Sequence, residues 1–359
     1  PYYYNHMNKQ QQAVYHAMKT GIQSLAPSFP CPRMEGKELT DVFLKLRLDC
    51  PEIFFVSGFH FRYYPDSANV ELSPEYLFDK NKIKDHQKAM KARVEKLVRP
   101  AVTMAELEKE QYVHDFICQN VRYDKLKKSY SHEILGPLGQ GVGVCEGIAK
   151  TVKILCDQLG IWCIVVISEA NPEKNIKYRH AWNIVKIGGA YYHLDATFDN
   201  TLSHMGPVRY DYFNLDDGKV FRDHEPVIWK VPACTVSDGF YYRVKKLSFT
   251  KMEEVEKRAL QAAKKGKELI FHWRGGALNR ETAAQMLKAF KEAGEKKGKY
   301  PRAAINWPQA VLLVEYLSEL PAEELVTEED VDAAYAKASE AVEALELKNM
   351  LRDEADQMD

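Results

Sequence analysis

The stretch His180-Ala181-Trp182-Asn183-Ile184-Val185-Lys186-Ile187-Gly188-Gly189-Ala190-Tyr191-Tyr192-His193-Leu194-Asp195-Ala196-Thr197-Phe198 holds two β-prone runs on either side of a glycine pair. Two-residue glycine turns join antiparallel strands because positive φ at both central positions matches the strand twist. The spacing predicts strands over 180–187 and 190–198, with Ile187 opposite Ala190. Counting back along that ladder sets Trp182 opposite Asp195 and His180 opposite Thr197. Opposed residues share a face. Ala181, Asn183, Val185, Ile187, Ala190, Tyr192, Leu194 and Ala196 therefore line one mostly apolar face, and His180, Trp182, Ile184, Tyr191, His193, Asp195 and Thr197 the other. His180 and Asp195 become diagonal neighbours, roughly 7 to 8 Å apart at the backbone, a gap that their side chains close to a hydrogen bond.

Upstream, Gly141-Val142-Gly143-Val144-Cys145-Glu146-Gly147-Ile148-Ala149 places a thiol where a glycine-rich connection meets an apolar-periodic segment. Ile148, Ala149, Val152, Leu155, Cys156 and Leu159 follow helical spacing, and Gly160 fits the residue after a helix end. Cys145 thus opens a buried helix. Unpaired amides and the positive dipole end there favour a thiolate, and with a neighbouring imidazolium such a thiol falls to roughly 3.5 to 7.5 from about 8.5. Most buried cysteines are inert, so the thiol by itself decides little. With a histidine and a carboxylate on one face of the hairpin, the set acquires the parts of nucleophilic catalysis: a nucleophile, a base for its proton, and a group that orients the base. The connection over 125–144 is long enough to expect a cleft wall, and 161–167 reads as a central strand.

The outer segments predict two further modules. Over 1–100, helices at 8–25, 39–48 and 80–99 alternate with a strand at 53–56 and a partner at 59–64 across Ser57-Gly58. Thr103-Met104-Ala105-Glu106 and Thr250-Lys251-Met252-Glu253 have the capping-box pattern of helix starts. Pro226, Pro232 and Gly239 mark a boundary, after which strands at 240–249, 268–273, 303–306 and 311–316 alternate with two helices in β-α-β-α-β-β order. Residues 327–351 read as an acidic helix. The expected division is 1–100, 101–235, 236–320 and 321–359, an α+β fold whose central unit carries the chemistry.

Composition narrows the classes. Lys+Arg 50 against Asp+Glu 51 leaves a formal charge of -1, which advertises neither nucleic acid nor an anionic membrane. No apolar run reaches the ~18 residues of a spanning helix, and the first residues lack a signal-peptide pattern. Seven cysteines without a CxxC pair argue against a disulfide framework or a four-thiolate zinc site, and for a reducing, cytoplasmic setting. Neither a metal set nor a cofactor motif stands out.

Gly143-Val144-Cys145-Glu146-Gly147-Ile148-Ala149, His180-Ala181-Trp182-Asn183-Ile184-Val185 and Tyr192-His193-Leu194-Asp195-Ala196-Thr197-Phe198-Asp199 resemble, in order, the three blocks of the transglutaminase-like superfamily. The resemblance covers about residues 103–230, including Tyr123-Asp124, and the flanking regions are similar to those of bacterial members. It implies a papain-like core with Cys145 as nucleophile, His180 as general base and acid, and Asp195 orienting the histidine. Phe198 stands where many relatives have tryptophan, and Glu146 where glutamine is frequent. The Cys145 amide is one oxyanion donor, and Gln140 and Trp182 are by analogy candidates for the second. Tyr210, Asp211 and Asp216 are candidates to line the cleft. The implied activity is amide acyl transfer through a thioester, by a peptidase or a transamidase with hydrolysis favoured, on a peptide or protein substrate. The competing reading is a non-catalytic protein-binding scaffold on the same core.

Overall fold

The computed structural model describes residues 1–126, 128–176 and 179–320, so the acidic helix expected at 327–351 lies outside the described residues. A short helix α1 (Tyr2–Asn5) precedes α2 (Lys9–Gln23). Asn8 caps α2 reciprocally with Gln11: its Oδ1 accepts from Gln11 N at 2.8 Å, and Gln11 Oε1 accepts from Asn8 N at 3.0 Å. The buried stripe Val14, Met18 and Ile22 packs α2 on β1 (Phe29–Pro32) and α3 (Gly36–Asp49). The predicted hairpin at Ser57-Gly58 does not form. Instead β2 (Val56–Tyr63) runs through it with a register shift and pairs with β3 (Asn69–Tyr76), while Ile53, Phe54 and Phe55 are buried in the core ahead of the strand. A strand glycine serves a bulge as well as a turn, and a partner outside the run offered the longer ladder. Helix α4 (Lys80–Val98) follows.

Helix α5 (Glu106–Asn120) starts three residues beyond the expected cap at Thr103. Ala105 occupies the cap position, its N–H donating to Glu108 Oε2 at 3.4 Å, while Glu106 reaches the Gly188 N–H at 2.6 Å and ties the helix start to the hairpin turn. Next, β4 (Arg122–Tyr123) pairs in parallel with β5 (Val142–Gly143). The connection between them is no loose wall. It contains a 3₁₀ turn, Ser129–His132, and a π-helical turn, Leu135–Gln140, and its residues 131–138 are buried. Helix α6 (Cys145–Gln158) packs directly on it: a Cβ on Gly147 would lie 2.1 Å from the Ser131 carbonyl oxygen.

Strands β6 (Cys163–Ile167), β7 (Ala181–Ile187), β8 (Ala190–Leu194) and β9 (Phe213–Leu215) form an antiparallel sheet in that order. Between β8 and β9 lies α7 (Ala196–Leu202), and α8 (Asp217–Val220) follows the sheet. The expected register holds from Ile187↔Ala190 to Asn183↔Leu194 and stops there. Trp182 does not pair with Asp195, nor His180 with Thr197, because Asp195 caps α7 and draws Ala196, Thr197 and Phe198 into the helix. The two faces are as expected: Val185, Ile187, Tyr192 and Leu194 join the core with α5 and α6, and Trp182 and Ile184 pack with Ile164, Val166 and Cys234. Strand β6, expected in the centre, is an edge of the sheet. Other groups cover its backbone: Lys153 Nζ donates to Cys163 O at 3.0 Å, Ile228 N to Ile167 O at 3.0 Å, and Tyr3 Oη to Val165 O.

The C-terminal elements are α9 (Tyr241–Val244), β10 (Ser248–Phe249), α10 (Met252–Lys265), β11 (Leu269–Trp273), α11 (Arg280–Lys297), β12 (Tyr300–Asn306) and β13 (Val311–Leu317). Only two residues of the strand expected at 240–249 are strand; the remainder is a helical turn that buries Tyr242 beside Phe240. Lys251, not Thr250, caps α10, and Thr250 N donates to Glu254 Oε2 at 3.1 Å. The sheet order is β10-β11-β13-β12, with α10 and α11 packed on it. One buried cluster runs from Met7 to Phe213, so the N-terminal helices and α6 share a core, and a second lies between Phe249 and Tyr316. A third joins Phe198, Tyr212 and Leu215 to Val311 and brings the β12–β13 turn close to α7.

Candidate active site

Cys145 is the first residue of α6, behind an extended Val144. It is 4% exposed and belongs to a buried cluster with Ala149, Val165, Ile167 and Ala181, the residue that follows His180. First-turn amides of a helix have no intrahelical acceptor and converge on a group placed there. All seven cysteines are thiols. Burial pushes Cys31 and Cys50 up to about 11 and raises Cys234 further, which keeps these thiols protonated near neutral pH.

His180 lies immediately before β7, and its Nε2 is 2.7 Å from Asp195 Oδ2. The other oxygen of Asp195 accepts from Phe198 N at 3.0 Å. Burial opposes ionisation of Asp195, but the His180 and His224 rings outweigh it and hold the carboxyl well below its ordinary range. Trp182 stacks on His180 with ring centroids 5.6 Å apart and planes 20° apart, and Phe198 covers the ring at 4.9 Å. The Trp182 indole N–H donates to His193 Nδ1 at 3.0 Å, and His193 Nε2 donates to Asp217 Oδ1 at 2.7 Å. That bond makes Trp182 a packing plane for His180 rather than an oxyanion donor. Gln140 is exposed at the end of the π-helical turn, before Gly141, whose φ of 66° leads the chain into β5.

The proposed cleft residues have structural partners. Asp211 pairs with Arg209 at 2.8 Å and accepts from Tyr242 Oη and Asn306 Nδ2; Tyr210 donates to Asp115 at 2.8 Å and stacks on Tyr241 at 3.6 Å; Asp216 caps α8. Sequence reasoning missed His224. Its Nε2 is 2.7 Å from the same Asp195 Oδ2 that His180 contacts. The only local signal was an Asp223-His224 pair after an aromatic and acidic segment, with no periodicity to place it.

Two sets of donor atoms gather among the described residues: His180, Asp195 and His224, and His193, Asp217 and Cys234. Both read as hydrogen-bonded groups. In the first, each ring nitrogen is 2.7 Å from the carboxylate oxygen, closer than the ~3.3 Å between ligand atoms around a tetrahedral ion with bonds near 2.0 Å. In the second, the Trp182 N–H occupies His193 Nδ1 and fixes the proton on Nε2, the atom that faces Asp217.

Residues 91–196 match the family model described as the transglutaminase-like superfamily, a span that contains Cys145, His180 and Asp195. By that match residues 91–196 carry a transglutaminase-like core. Among solved structures, one titled "Crystal structure of a TGase" is similar at 13% identity with a TM-score of 0.26, covering 40% of this chain and 44% of that one. The chain thus spans less than half of that structure. It matches no curated protein. No described helix is long and apolar enough to cross a membrane.

Proposed function

We propose that the chain is a cysteine-dependent amide acyl hydrolase or transferase acting through a thioester on a peptide or protein. Cys145 Sγ attacks the amide carbonyl as His180 takes the thiol proton. The C–N bond then breaks, and His180 returns that proton to the departing amine. Water or a second amine attacks the thioester, gives its proton to His180, and expels the Cys145 sulfur. The Cys145 amide is one donor for the tetrahedral oxyanion, since helix-start amides point at a carbonyl held there. Asp195 holds the imidazole in one tautomer and stabilises its charged form.

The observation that carries this reading is the 2.7 Å bond between His180 and the buried Asp195 carboxylate, with Ala181, the residue after His180, packed in one cluster with Cys145. The test is a peptide-library assay with and without an added amine, comparing the wild type with Cys145→Ala. Thiol-dependent cleavage or amine incorporation is expected, and equal product from both proteins would overturn the reading.

A further inference from the structure

His224 touches the candidate site from outside the three blocks that define it. Its Nε2 meets Asp195 Oδ2 at 2.7 Å, and its Nδ1 meets Asp223 Oδ1 at 2.8 Å. A carboxylate only accepts, so a ring placed between two of them carries a proton on each nitrogen. The ring is buried, with Phe198 at 4.3 Å and the edge of Trp182 at 5.0 Å. The titratable groups around it are Asp195, Asp223, His180 at 5.4 Å between centroids, His193 beyond Trp182, and Tyr212 at 5.6 Å. Asp223 is fixed in turn. Tyr212 Oη donates to its Oδ2, and Gln309 Nε2, from the turn between β12 and β13, donates to its Oδ1 at 3.2 Å.

We propose that His224 is a positioning residue for the acyl transfer site: a fixed imidazolium that clamps Asp195 through the oxygen shared with His180 and divides the carboxylate's charge between two rings. The inference rests on the roles proposed for Cys145, His180 and Asp195. Two consequences follow from the geometry. A permanent positive charge 5.4 Å from the His180 ring opposes a second positive charge there, so protonated His180 surrenders its proton to the leaving amine more readily. The clamp also gives the C-terminal sheet a path to the site, from Gln309 through Asp223 and His224 to Asp195. Burial disfavours the cation on His224, but Asp195 and Asp223 overcome it and push the ring up to about 10, in agreement with the geometry.

Two variants test this by different chemistry. His224→Gln keeps an N–H donor for Asp195 and removes the charge. Asp223→Asn keeps the ring and removes the carboxylate that demands the second proton. In the full chain, nitrogen-15 NMR of the histidine rings is expected to show His224 protonated on both nitrogens at pH 8. In both variants the alkaline limb of Cys145 alkylation by iodoacetamide should move about one pH unit higher than in the wild type, which a merely structural role would not cause. A neutral His224 ring at pH 8 in the wild type overturns the proposal without any variant, and so does an alkylation pH profile that is the same in all three proteins. Loss of folding in one variant leaves the other and the wild-type ring measurement to decide. If Cys145 alkylation is insensitive to His180→Ala, the acyl transfer reading fails, and the protonation of the His224 ring still judges the clamp.

Discussion

Asp195 Oδ1 accepts the backbone N–H of Phe198 at 3.0 Å, so the residue that hydrogen-bonds His180 also starts α7. The two jobs separate by substitution. In Asp195→Asn the amide oxygen can still cap the helix, but the anion facing His180 and His224 is gone. In Asp195→Ala the cap is lost as well, at about 0.5 to 2 kcal/mol. Cys145 alkylation near pH 7 is expected to fall at least roughly tenfold in both, with the lower melting temperature in the alanine variant. An asparagine variant that reacts like the wild type would remove Asp195 from the mechanism.

Gly147 is constrained by approach rather than by backbone conformation. A Cβ there would stand 2.1 Å from the Ser131 carbonyl oxygen and 3.2 Å from that of Glu133, and neither backbone atom can swing aside. Gly147→Ala must therefore lift the first turn of α6, which carries Cys145, off the Ser129–His132 turn. Stability should drop by about 1 to 3 kcal/mol, and Cys145 alkylation should slow more than in an alanine substitution at the exposed Gln158 end of the same helix. Urea titration and alkylation of both proteins provide the comparison, and equal behaviour would refute the packing argument.

Lys150 is fully buried in α6, with Nζ 3.1 Å from both carboxylate oxygens of Glu133 and 2.9 Å from Glu146 Oε1. Arg47 contacts Glu133 from α3. Lys150→Met fills the space but takes the ammonium from both carboxylates, leaving Glu133 with Arg47 and Glu146 with His132 Nδ1 at 3.5 Å. Breaking a buried pair from one side costs about 3 to 5 kcal/mol. Chemical denaturation of the variant measures this, and a loss below about 1 kcal/mol would place the network with ordinary surface pairs.

Glu110 is a buried acid with an unusual pH signature. Asn214 Nδ2 donates to its Oε1 at 2.7 Å, while its Oε2 and Asn214 Oδ1 have no hydrogen-bond partner. Burial, only partly offset by Asn214 and His114, pushes the carboxyl up from 4.5 to about 8. The folded state therefore holds a proton that the unfolded chain releases. Its contribution to stability is fully present below pH 4.5 and is lost as pH rises through about 8. Glu110→Gln has no such dependence. Between pH 5 and 8.5 the wild type should lose stability relative to the variant on the order of a few kcal/mol, as read by urea denaturation at each pH. Parallel profiles would show that Glu110 is ionised in place.

Errors of reading cluster where side chains compete with periodicity. Ser57-Gly58 has the composition of a turn and is a bulge, because the better partner for β2 lay beyond it at Asn69–Tyr76. Thr103 and Thr250 match the capping pattern, yet Ala105 and Lys251 occupy the caps, with Glu106 drawn instead to Gly188. Strand β6 is apolar throughout and lies at an edge, because Tyr3, Lys153 and Ile228 cover its backbone. Each outcome depends on a group remote in the chain.

The local pieces of the candidate site are legible along the chain: the Gly188-Gly189 turn, the register from Ile187↔Ala190 to Asn183↔Leu194, and the helix start that carries Cys145. Those follow from glycine conformations, strand alternation and helical spacing, all of which act over a few residues. Long-range packing makes Asp195 leave the ladder to cap α7 and still bond His180, and brings His224, 29 residues further on, to the same oxygen. A buried charge takes whichever partner the folded path brings within hydrogen-bond reach, and no periodicity along the chain records that choice.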